Sequence, residues 1–428
     1  MNQPVHYRAR WLVPEPGAVI DGGELTVVDG KIVRVGPRVA GRSAIDLGDV
    51  AILPPLVNCH AHLEFSGYES PLGAPGIAFT DWLRLVIADQ WARREGPPQV
   101  AGQWRAKGWR EAINGGAAWV ADVTTVAEPW PGDSSNSIAS PIGPHGHLPM
   151  WEVLGATPQR AEAAWQRASA MVDGWKSAGT GRRWGLSPHA PYSTSWPLVA
   201  RSCAVSAAEG VPLAMHLAES REELELLAAG TGPFRTLLED LGAWSEETRR
   251  HRISIHDYLT MLASAHRGLV VHGNYLSQHE ADLLAQHRQR MALVYCPRTH
   301  AYFGHDSYPL ASRVRGGVRM VLGTDSRASN PDLSIWREWQ FAAATHPAVD
   351  PWRVLQMVTT DAAWALGIEH LAGRLAAGLP AQFLVVRLHK SPGEQPLIER
   401  LLGADGPELI DLSQVTSGSG RVPGSTRY

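Results

Sequence analysis

The stretch LVNCHAHLEFSG, residues 56–67, ends an apolar run with two histidines separated by a single residue. Side chains two residues apart on a strand point to the same side. His60 and His62 can therefore direct two imidazoles at one point, an arrangement that suits a metal ion. A pair of partly exposed loop histidines is the alternative, so the further ligands must come from the rest of the chain.

Working outward, short apolar runs alternate with amphipathic stretches from residue 51 onward. The predicted strands cover residues 51–58, 117–123, 148–154, 184–188, 211–216, 268–272, 291–295 and 318–324. The predicted helices include residues 77–94, 158–178, 195–209, 220–229, 277–289 and 332–345. Eight strands that alternate with helices predict an α/β fold with a parallel sheet, and eight is the number that closes a barrel.

Both ends of the chain are rich in β patterns instead. GGELTVVDGKIVRVG, residues 22–36, contains Asp29-Gly30, which is typical of a hairpin turn. AGRLAAGLPAQFLVVRL, residues 372–388, reads as a turn followed by a strand. We therefore predict a (β/α)8 barrel over residues 52–372. A small β-sandwich would combine residues 1–51 with residues 373–428, which end in a flexible tail.

Length, composition and charge narrow the class of protein. The chain has 428 residues, of which 44% are hydrophobic, and a formal net charge of −3. The nearly balanced charges argue against a nucleic-acid partner and a polybasic membrane patch. The N-terminus does not resemble a signal peptide, no apolar run approaches the ~20 residues of a membrane span, and three distant cysteines form no disulfide framework. We expect a cytoplasmic protein with a small-molecule substrate, and leave a homodimer open.

Four of the predicted strands end in a histidine or an aspartate at their carboxyl end, the face on which barrel enzymes place their chemistry. WGLSPH ends in His189, VPLAMH in His216, GLVVH in His272 and VRMVLGTD in Asp325. Together with the first pair, the strand ends offer five nitrogen and oxygen ligands: His60, His62, His216, His272 and Asp325. Imidazole and carboxylate suit zinc or ferrous iron with a position left for water.

We predict one divalent metal ion, with zinc preferred over iron. The fourth strand ends in His189 rather than in a lysine or carboxylate that could bridge two ions. A second His-x-His pair, His145 and His147, lies among prolines and glycines without a preceding apolar strand. We interpret the segment around that pair, residues 128–147, as a loop.

The motifs LVNCHAHLE, SPHAPYS, HLAES, VVHGN, CPRTHAYFG and LGTDSRASNPDLS resemble, in order and spacing, those of the amidohydrolase superfamily, in its branch of mononuclear deaminases and chlorohydrolases. The resemblance covers almost the whole chain and implies a distorted barrel with a small β-sandwich. It implies metal ligation by His60, His62, His216 and Asp325. The residue that matches His272 lies near the metal and orients water or substrate, and the residue that matches His189 contacts substrate.

The expected catalytic residues are Glu219, His272 and Asp325. A metal held by three imidazoles and one carboxylate can lower the pKa of bound water from ~16 to about 7. The resemblance implies that Glu219 shuttles the proton, whereas an alternative role is to complement the dipole of the helix that follows it. Asp325 could also accept a proton, and His272 would position the tetrahedral adduct.

Within the branch, HLEFS, FTDWL and CPRTHAYFGH are most similar to aminodeoxyfutalosine deaminases and other adenosine-type deaminases. The resemblance therefore implies hydrolytic deamination of an adenine-type nucleoside. The first expected substrate is 6-amino-6-deoxyfutalosine, followed by methylthioadenosine and S-adenosylhomocysteine. The alternatives are a guanine or pterin deaminase, a triazine chlorohydrolase, and a non-catalytic scaffold.

Substrate contacts are expected from the loops at the strand ends. Glu64 could bind a ribose or a ring edge, and Trp82 could cover the pocket with its aromatic face. Arg298 and Arg327 flank the last two strands and could bind a substrate carboxylate. The structural alternatives are a salt bridge for Glu64, helix packing for Trp82 and surface solvation for the two arginines. His300 stands where the branch usually has asparagine, which leaves the substrate open.

Overall fold

The computed structural model describes residues 3–94, 99–126, 146–177, 183–244, 253–389 and 395–411. Its first strands are β1 (Val5–Glu15), β2 (Ala18–Val28), β3 (Lys31–Pro37), β4 (Ile45–Asp46) and β5 (Val50–Leu53). The turn between β2 and β3 contains Asp29 and Gly30, both at positive φ, as the predicted hairpin requires.

The next eight strands form one parallel sheet in chain order. They are β6 (Leu56–Ala61), β7 (Ala117–Thr124), β8 (His147–Val153), β9 (Gly185–Pro188), β10 (Pro212–Leu217), β11 (Arg267–His272), β12 (Met291–Tyr295) and β13 (Met320–Leu322). A parallel bridge between Ala61 and Asp325 brings the ends of the first and last of these strands together. The predicted barrel is confirmed.

Helices connect and surround these strands. Their bounds are Phe79–Arg94, Gln99–Asn114, Pro158–Ser177, Trp196–Glu209, Arg221–Ala229, Pro233–Asp240, Ile255–Leu262, Gln278–Gln286, Pro297–Phe303, Leu310–Arg315, Ile335–Thr345, Pro351–Gln356, Thr360–Ala365 and Leu397–Leu402, with a 3-10 turn at Leu63–Phe65. The strands are buried on both faces, since helices cover the outside of the sheet. None of the helices in the described residues combines the length and apolar character of a membrane span.

The two ends of the chain meet in a second sheet. β14 (Gln382–Arg387) pairs antiparallel with β5, and β15 (Pro407–Asp411) pairs antiparallel with β14. The resulting seven-stranded sheet has its own core, which includes Leu12, Ile52 and Phe383. The predicted pairing of the chain ends is thus observed within one sheet.

Two local predictions differ from the structure. The run 51–58 was expected to be one strand, but Pro54-Pro55 divides it into β5 of the second sheet and β6 of the barrel. Proline has no N–H to continue a ladder, so the chain changes sheets there. The loop prediction for 128–147 is wrong at His147, which begins β8 and bonds Asp122 through Nε2 at 3.0 Å. His145 and most of that segment lie outside the described residues.

Candidate active site

Five side chains converge at the carboxyl ends of the barrel strands. The Nε2 atoms of His60 and His62 lie 3.6 and 3.7 Å from Oδ1 of Asp325. The Nε2 atom of His216 lies 3.2 Å from Nε2 of His60. His60, His216 and His272 form one group with ligand atoms within 4.8 Å of one another, and His60, His62 and Asp325 form a second. The predicted ligands are therefore close enough to surround one ion.

The chemistry of these donors fits a divalent metal. Burial, as the largest cause, lowers the pKa of His62 to about 3, and burial also lowers the pKa of His60 and His216, so these imidazoles are neutral. Nδ1 of His216 lies 2.9 Å from the carbonyl oxygen of His189, so it donates and Nε2 keeps its lone pair. His272 Nε2 is buried and has no hydrogen-bond partner within the described residues. These residues could hold one ion such as zinc or iron.

The backbone around Asp325 fixes the direction of its carboxylate. The amides of Thr324 and Asp325 both donate to the carbonyl oxygen of His60 at 3.0 Å. Ser329 Oγ donates to Oδ2 at 2.9 Å, which leaves Oδ1 facing the two histidines of the first strand. Asp325 and His272 adopt positive φ of 56° and 68°, a conformation that is costly outside glycine. These hydrogen bonds hold Asp325 in place, and the Tyr308 hydroxyl donates to the carbonyl oxygen of His272 at 3.2 Å.

Glu219 is buried beside this cluster, with Oε1 3.3 Å from Nε2 of His272. Burial, followed by the nearby charge of Asp325, raises the pKa of Glu219 well above its ordinary value. A buried carboxyl group whose pKa is raised holds a proton more readily than an exposed one, which suits the transfer of a proton between water and a substrate. The position of Glu219 therefore supports the predicted proton shuttle.

The alternative helix-capping role is filled by other residues. Ser220 is the N-cap of the helix Arg221–Ala229 and accepts from the amide of Glu223. The buried carboxylate of Glu223 accepts from the amides of Ala218 and Glu219 at 3.1 and 2.8 Å, and Asn274 donates to the carbonyl of Glu219. Glu223 was not among the residues predicted from the sequence, although Ser-Arg-Glu-Glu at 220–223 is a capping-box signal.

A cavity of about 610 Å³ opens from the cluster toward the surface. Its polar floor is lined by His62, Glu64, Glu152, His189, His216, Glu219, His272 and Asp325. Aromatic and aliphatic residues form the walls, including Phe65, Phe79, Trp82, Val86, Ile87, Leu154, Tyr192 and Leu237. Gln90, Arg93 and Arg160 also line it. A mostly apolar space with a few converging polar groups is typical of a small-molecule site.

Three predicted substrate residues lie on this cavity. Glu64 is buried, and burial with nearby Asp122 raises its pKa to about 7. Trp82 packs on Phe79 and donates through Nε1 to the carbonyl of Ala328, so it has a structural role and also faces the cavity. His189 places Nδ1 2.6 Å from Ser193 Oγ.

The structure does not bring Arg298 to the cavity, and we correct that prediction. Its guanidinium bonds both carboxylate oxygens of Asp332 at 3.0 and 2.7 Å and Oε1 of Glu338 at 2.7 Å. Because these bonds engage three nitrogens of a side chain that is 11% exposed, nothing remains to bind a substrate carboxylate. Arg298 holds the loop after β13 against the helix Ile335–Thr345.

Arg327 and His300 are likewise absent from the cavity lining among the described residues. Arg327 donates to the carbonyls of Tyr68 and Glu69 and pairs with Glu111. The His300 ring lies between Asn274 Oδ1 at 3.1 Å and the carbonyl oxygen of Asp306 at 2.8 Å. Sequence position alone placed these residues at strand ends, but their side chains point to local backbone partners.

We expect Arg298→Ala to destabilise the protein by about 3–5 kcal/mol because it leaves the fully buried Glu338 carboxylate without its charged partner. Equilibrium denaturation in guanidinium chloride measures this change. The matched control is Arg337→Ala, which removes a 61% exposed partner of Asp332 and should cost far less. Equal free energies of unfolding for the two variants would show that the buried Arg298–Glu338 ion pair does not contribute to stability.

Comparisons with known proteins agree with this architecture. A model of the amidohydrolase family matches residues 51–413. The aminodeoxyfutalosine deaminase of Deinococcus radiodurans is 29% identical over 355 residues, which are 79% of this chain and 78% of that protein. The 5-methylthioadenosine/S-adenosylhomocysteine deaminase of Moorella thermoacetica is 27% identical over 433 residues, covering 96% of this chain and 93% of that protein.

The fold also matches solved structures. An adenosine deaminase from Xanthomonas campestris with bound zinc superposes with a TM-score of 0.71 at 21% identity, covering 94% of this chain and 89% of that one. This likeness concerns the fold of the barrel and its accompanying sheet. Because the family model spans most of the sequence, the chain belongs to the amidohydrolase family.

Proposed function

We propose that this protein is a metal-dependent hydrolytic deaminase of an adenine-type nucleoside. The first substrate is 6-amino-6-deoxyfutalosine, and methylthioadenosine and S-adenosylhomocysteine come next. The observation that best supports this proposal is the position of the buried Glu219 carboxyl group, which lies 3.3 Å from His272. On the floor of the same cavity is the candidate metal site formed by His60, His62, His216 and Asp325. The names of the Deinococcus and Moorella relatives support an adenosine-type substrate.

The reaction replaces an amino group by an oxo group and consumes one water. The metal, when bound, supplies Lewis acidity that lowers the pKa of water to about 7. Glu219 takes one proton from the attacking water and delivers it to the ring nitrogen beside the amino-bearing carbon, where it stays in the oxo product. The second proton of the water is transferred to the amino group, which leaves as ammonia. His272 faces Glu219 and orients the reacting groups, and the Oδ1 atom of Asp325 lies where it can accept a proton.

The walls of the cavity favour a nucleoside with an apolar 5′ substituent. Leu83, Val86, Ile87 and Leu154 line it beyond the polar floor. Arg160 also lines it, and its exposed guanidinium donates to the carbonyl oxygen of Leu241 at 3.1 Å. Arg160 replaces Arg298 and Arg327 as the cation that we expect to bind the carboxylate of aminodeoxyfutalosine. Binding at this remote end can orient the reacting end.

The test is ammonia release from aminodeoxyfutalosine, methylthioadenosine, S-adenosylhomocysteine, adenosine and guanine, measured side by side. Aminodeoxyfutalosine should exceed adenosine in kcat/KM by at least tenfold, which is about 1.4 kcal/mol of transition-state discrimination. Faster ammonia release from adenosine or guanine than from every 5′-modified nucleoside would contradict the substrate assignment, as would faster chloride release from a chlorotriazine assayed in parallel.

Arg160→Ala should reduce the ratio of kcat/KM for aminodeoxyfutalosine to kcat/KM for adenosine, because only aminodeoxyfutalosine carries a carboxylate at its far end. The kcat/KM values of both substrates measure this. The matched control is Arg201→Ala, which removes an exposed arginine paired with Glu162 outside the cavity lining. If Arg160→Ala lowered kcat/KM by the same factor for both substrates, Arg160 would not be the carboxylate-binding residue.

A further inference from the structure

The backbone is strained directly before the proposed proton shuttle. Ala218 adopts a φ of 52°, in the left-handed region that favours glycine, and lies in the short connection between β10 and the helix Arg221–Ala229. A Cβ atom is unfavourable in this conformation, which persists only where neighbouring groups hold it. Ala218 is fully buried, and Glu219 follows it on the floor of the cavity. The direction of the Glu219 side chain therefore depends on the groups that hold this backbone.

All four polar backbone groups of Ala218 and Glu219 have a partner. The two N–H groups donate to the two carboxylate oxygens of Glu223, at 3.1 and 2.8 Å. The carbonyl oxygen of Ala218 accepts from the amide of Tyr275 at 3.0 Å. The carbonyl oxygen of Glu219 accepts from Nδ2 of Asn274 at 2.9 Å. A helix thus holds the N–H side of this backbone, and the loop after β11 holds the carbonyl side.

Glu223 does more than cap its own helix. Ser220 is the N-cap, and its hydroxyl accepts from the amide of Glu223. The fully buried Glu223 side chain reaches past Ser220 to the amides of Ala218 and Glu219. Because each oxygen binds a different amide, the contact fixes the two peptide planes that meet at Ala218, and with them its φ.

Asn274 is itself held in one orientation. Its Oδ1 atom lies 3.1 Å from Nδ1 of His300, whose Nε2 lies 2.8 Å from the carbonyl oxygen of Asp306. A proton on Nδ1 of His300 binds the amide oxygen of Asn274, so the amide nitrogen is turned toward Glu219. His300 is thus connected to the site through Asn274.

The reaction tolerates little displacement of the Glu219 carboxyl group. Its Oε1 atom lies 3.3 Å from Nε2 of His272. Proton transfer requires the two heavy atoms to approach to ~2.6–3.2 Å. A misplacement of ~1 Å caused by a change away from the reacting atoms can cost ~10²-fold in rate. The contacts that hold the backbone of Glu219 therefore bear on the rate of proton transfer.

We infer that Glu223 and Asn274 are positioning residues, which hold the strained backbone of Ala218 and Glu219 so that the Glu219 carboxyl group can transfer protons in the reaction. This inference rests on the proposed function, because it takes Glu219 as the proton shuttle. Both residues act through Glu219, and among the described residues neither lines the cavity. A purely structural role would instead affect the protein with or without the Glu219 carboxyl group.

The test combines Glu223→Gln with Glu219→Gln in the metal-loaded protein and measures kcat and KM for the nucleoside that wild type deaminates fastest. In Glu223→Gln, the new NH2 group faces a backbone N–H and cannot accept from it, so one of the two contacts is lost. Alone, this variant should lose at least ~10-fold in kcat with little change in KM. Added to Glu219→Gln, it should cost less than ~2-fold more, because residues that act as a unit are not additive.

Two further variants complete the test. Asn274→Ala removes the contact on the carbonyl side and should show the same pattern, which keeps the inference testable if Glu223→Gln does not fold. Glu225→Gln, the same change at an exposed position of the same helix, is the matched control and should keep the kcat of wild type. Thermal melting and metal content verify that each variant is folded and loaded.

The outcomes separate this inference from the proposed function. Wild-type kcat in both Glu223→Gln and Asn274→Ala would overturn the positioning role and leave the deaminase assignment intact. The same conclusion would follow from an equal loss with and without Glu219→Gln. Absence of ammonia release by the metal-loaded wild type from every nucleoside would overturn the proposed function, and the inference with it.

Discussion

Glu219→Gln should keep its metal and lose at least ~10²-fold in turnover. The amide has nearly the shape of the carboxyl group, so Glu223 and Asn274 can still hold the backbone at this position. It cannot carry a proton from water to the substrate, which is the role we assign to Glu219. Elemental analysis of the purified variant and its rate of ammonia release measure the two effects separately.

The matched control is Glu225→Gln, the same change at an exposed position six residues further along the chain, on the helix Arg221–Ala229. It should leave turnover unchanged. Near-normal turnover of a metal-replete Glu219→Gln protein would contradict the assignment of Glu219 as proton shuttle. Loss of metal together with turnover would instead point to a structural role for the carboxylate.

The second large effect concerns the metal ligands. His216→Ala and Asp325→Ala should each remove most of the bound metal, because each deletes a donor atom from the compact cluster around His60. Turnover should fall with metal content. Elemental analysis of each variant after purification is the measurement.

His279→Ala is the control for these variants, because His279 is exposed on the helix Gln278–Gln286 and lies outside both candidate ligand groups. It should retain the metal content of wild type. A His216→Ala protein that keeps a full complement of metal would show that this imidazole is not a ligand.

The architecture was predictable because its signals are local. Alternation of apolar runs and amphipathic stretches predicts a barrel, and the residue that ends each run predicts the face on which it lies. The approach of Asp325 to His60 and His62 follows from strand order alone, since neighbouring parallel strands end at the same edge. The resemblance to the amidohydrolase superfamily rests on the same residues.

Other features depend on partners that lie far away in sequence. Arg298 follows a strand, as a substrate-binding arginine would, but Asp332 and Glu338 bind it from 34 and 40 residues away. Glu152 reads as a single acid in an apolar run, and only the packed barrel shows that it shares a cavity with Glu64. Periodicity gives the position of a residue along a strand, not the charges that surround its side chain.

The most direct test of the account is a metal titration of chelator-treated protein with aminodeoxyfutalosine as substrate. Ammonia release should be lost with the metal, rise linearly as zinc is added back, and reach its plateau at one equivalent per chain. Full activity in the metal-free protein, or a plateau that requires two equivalents, would contradict a deaminase built on a single ion held by His60, His62, His216 and Asp325.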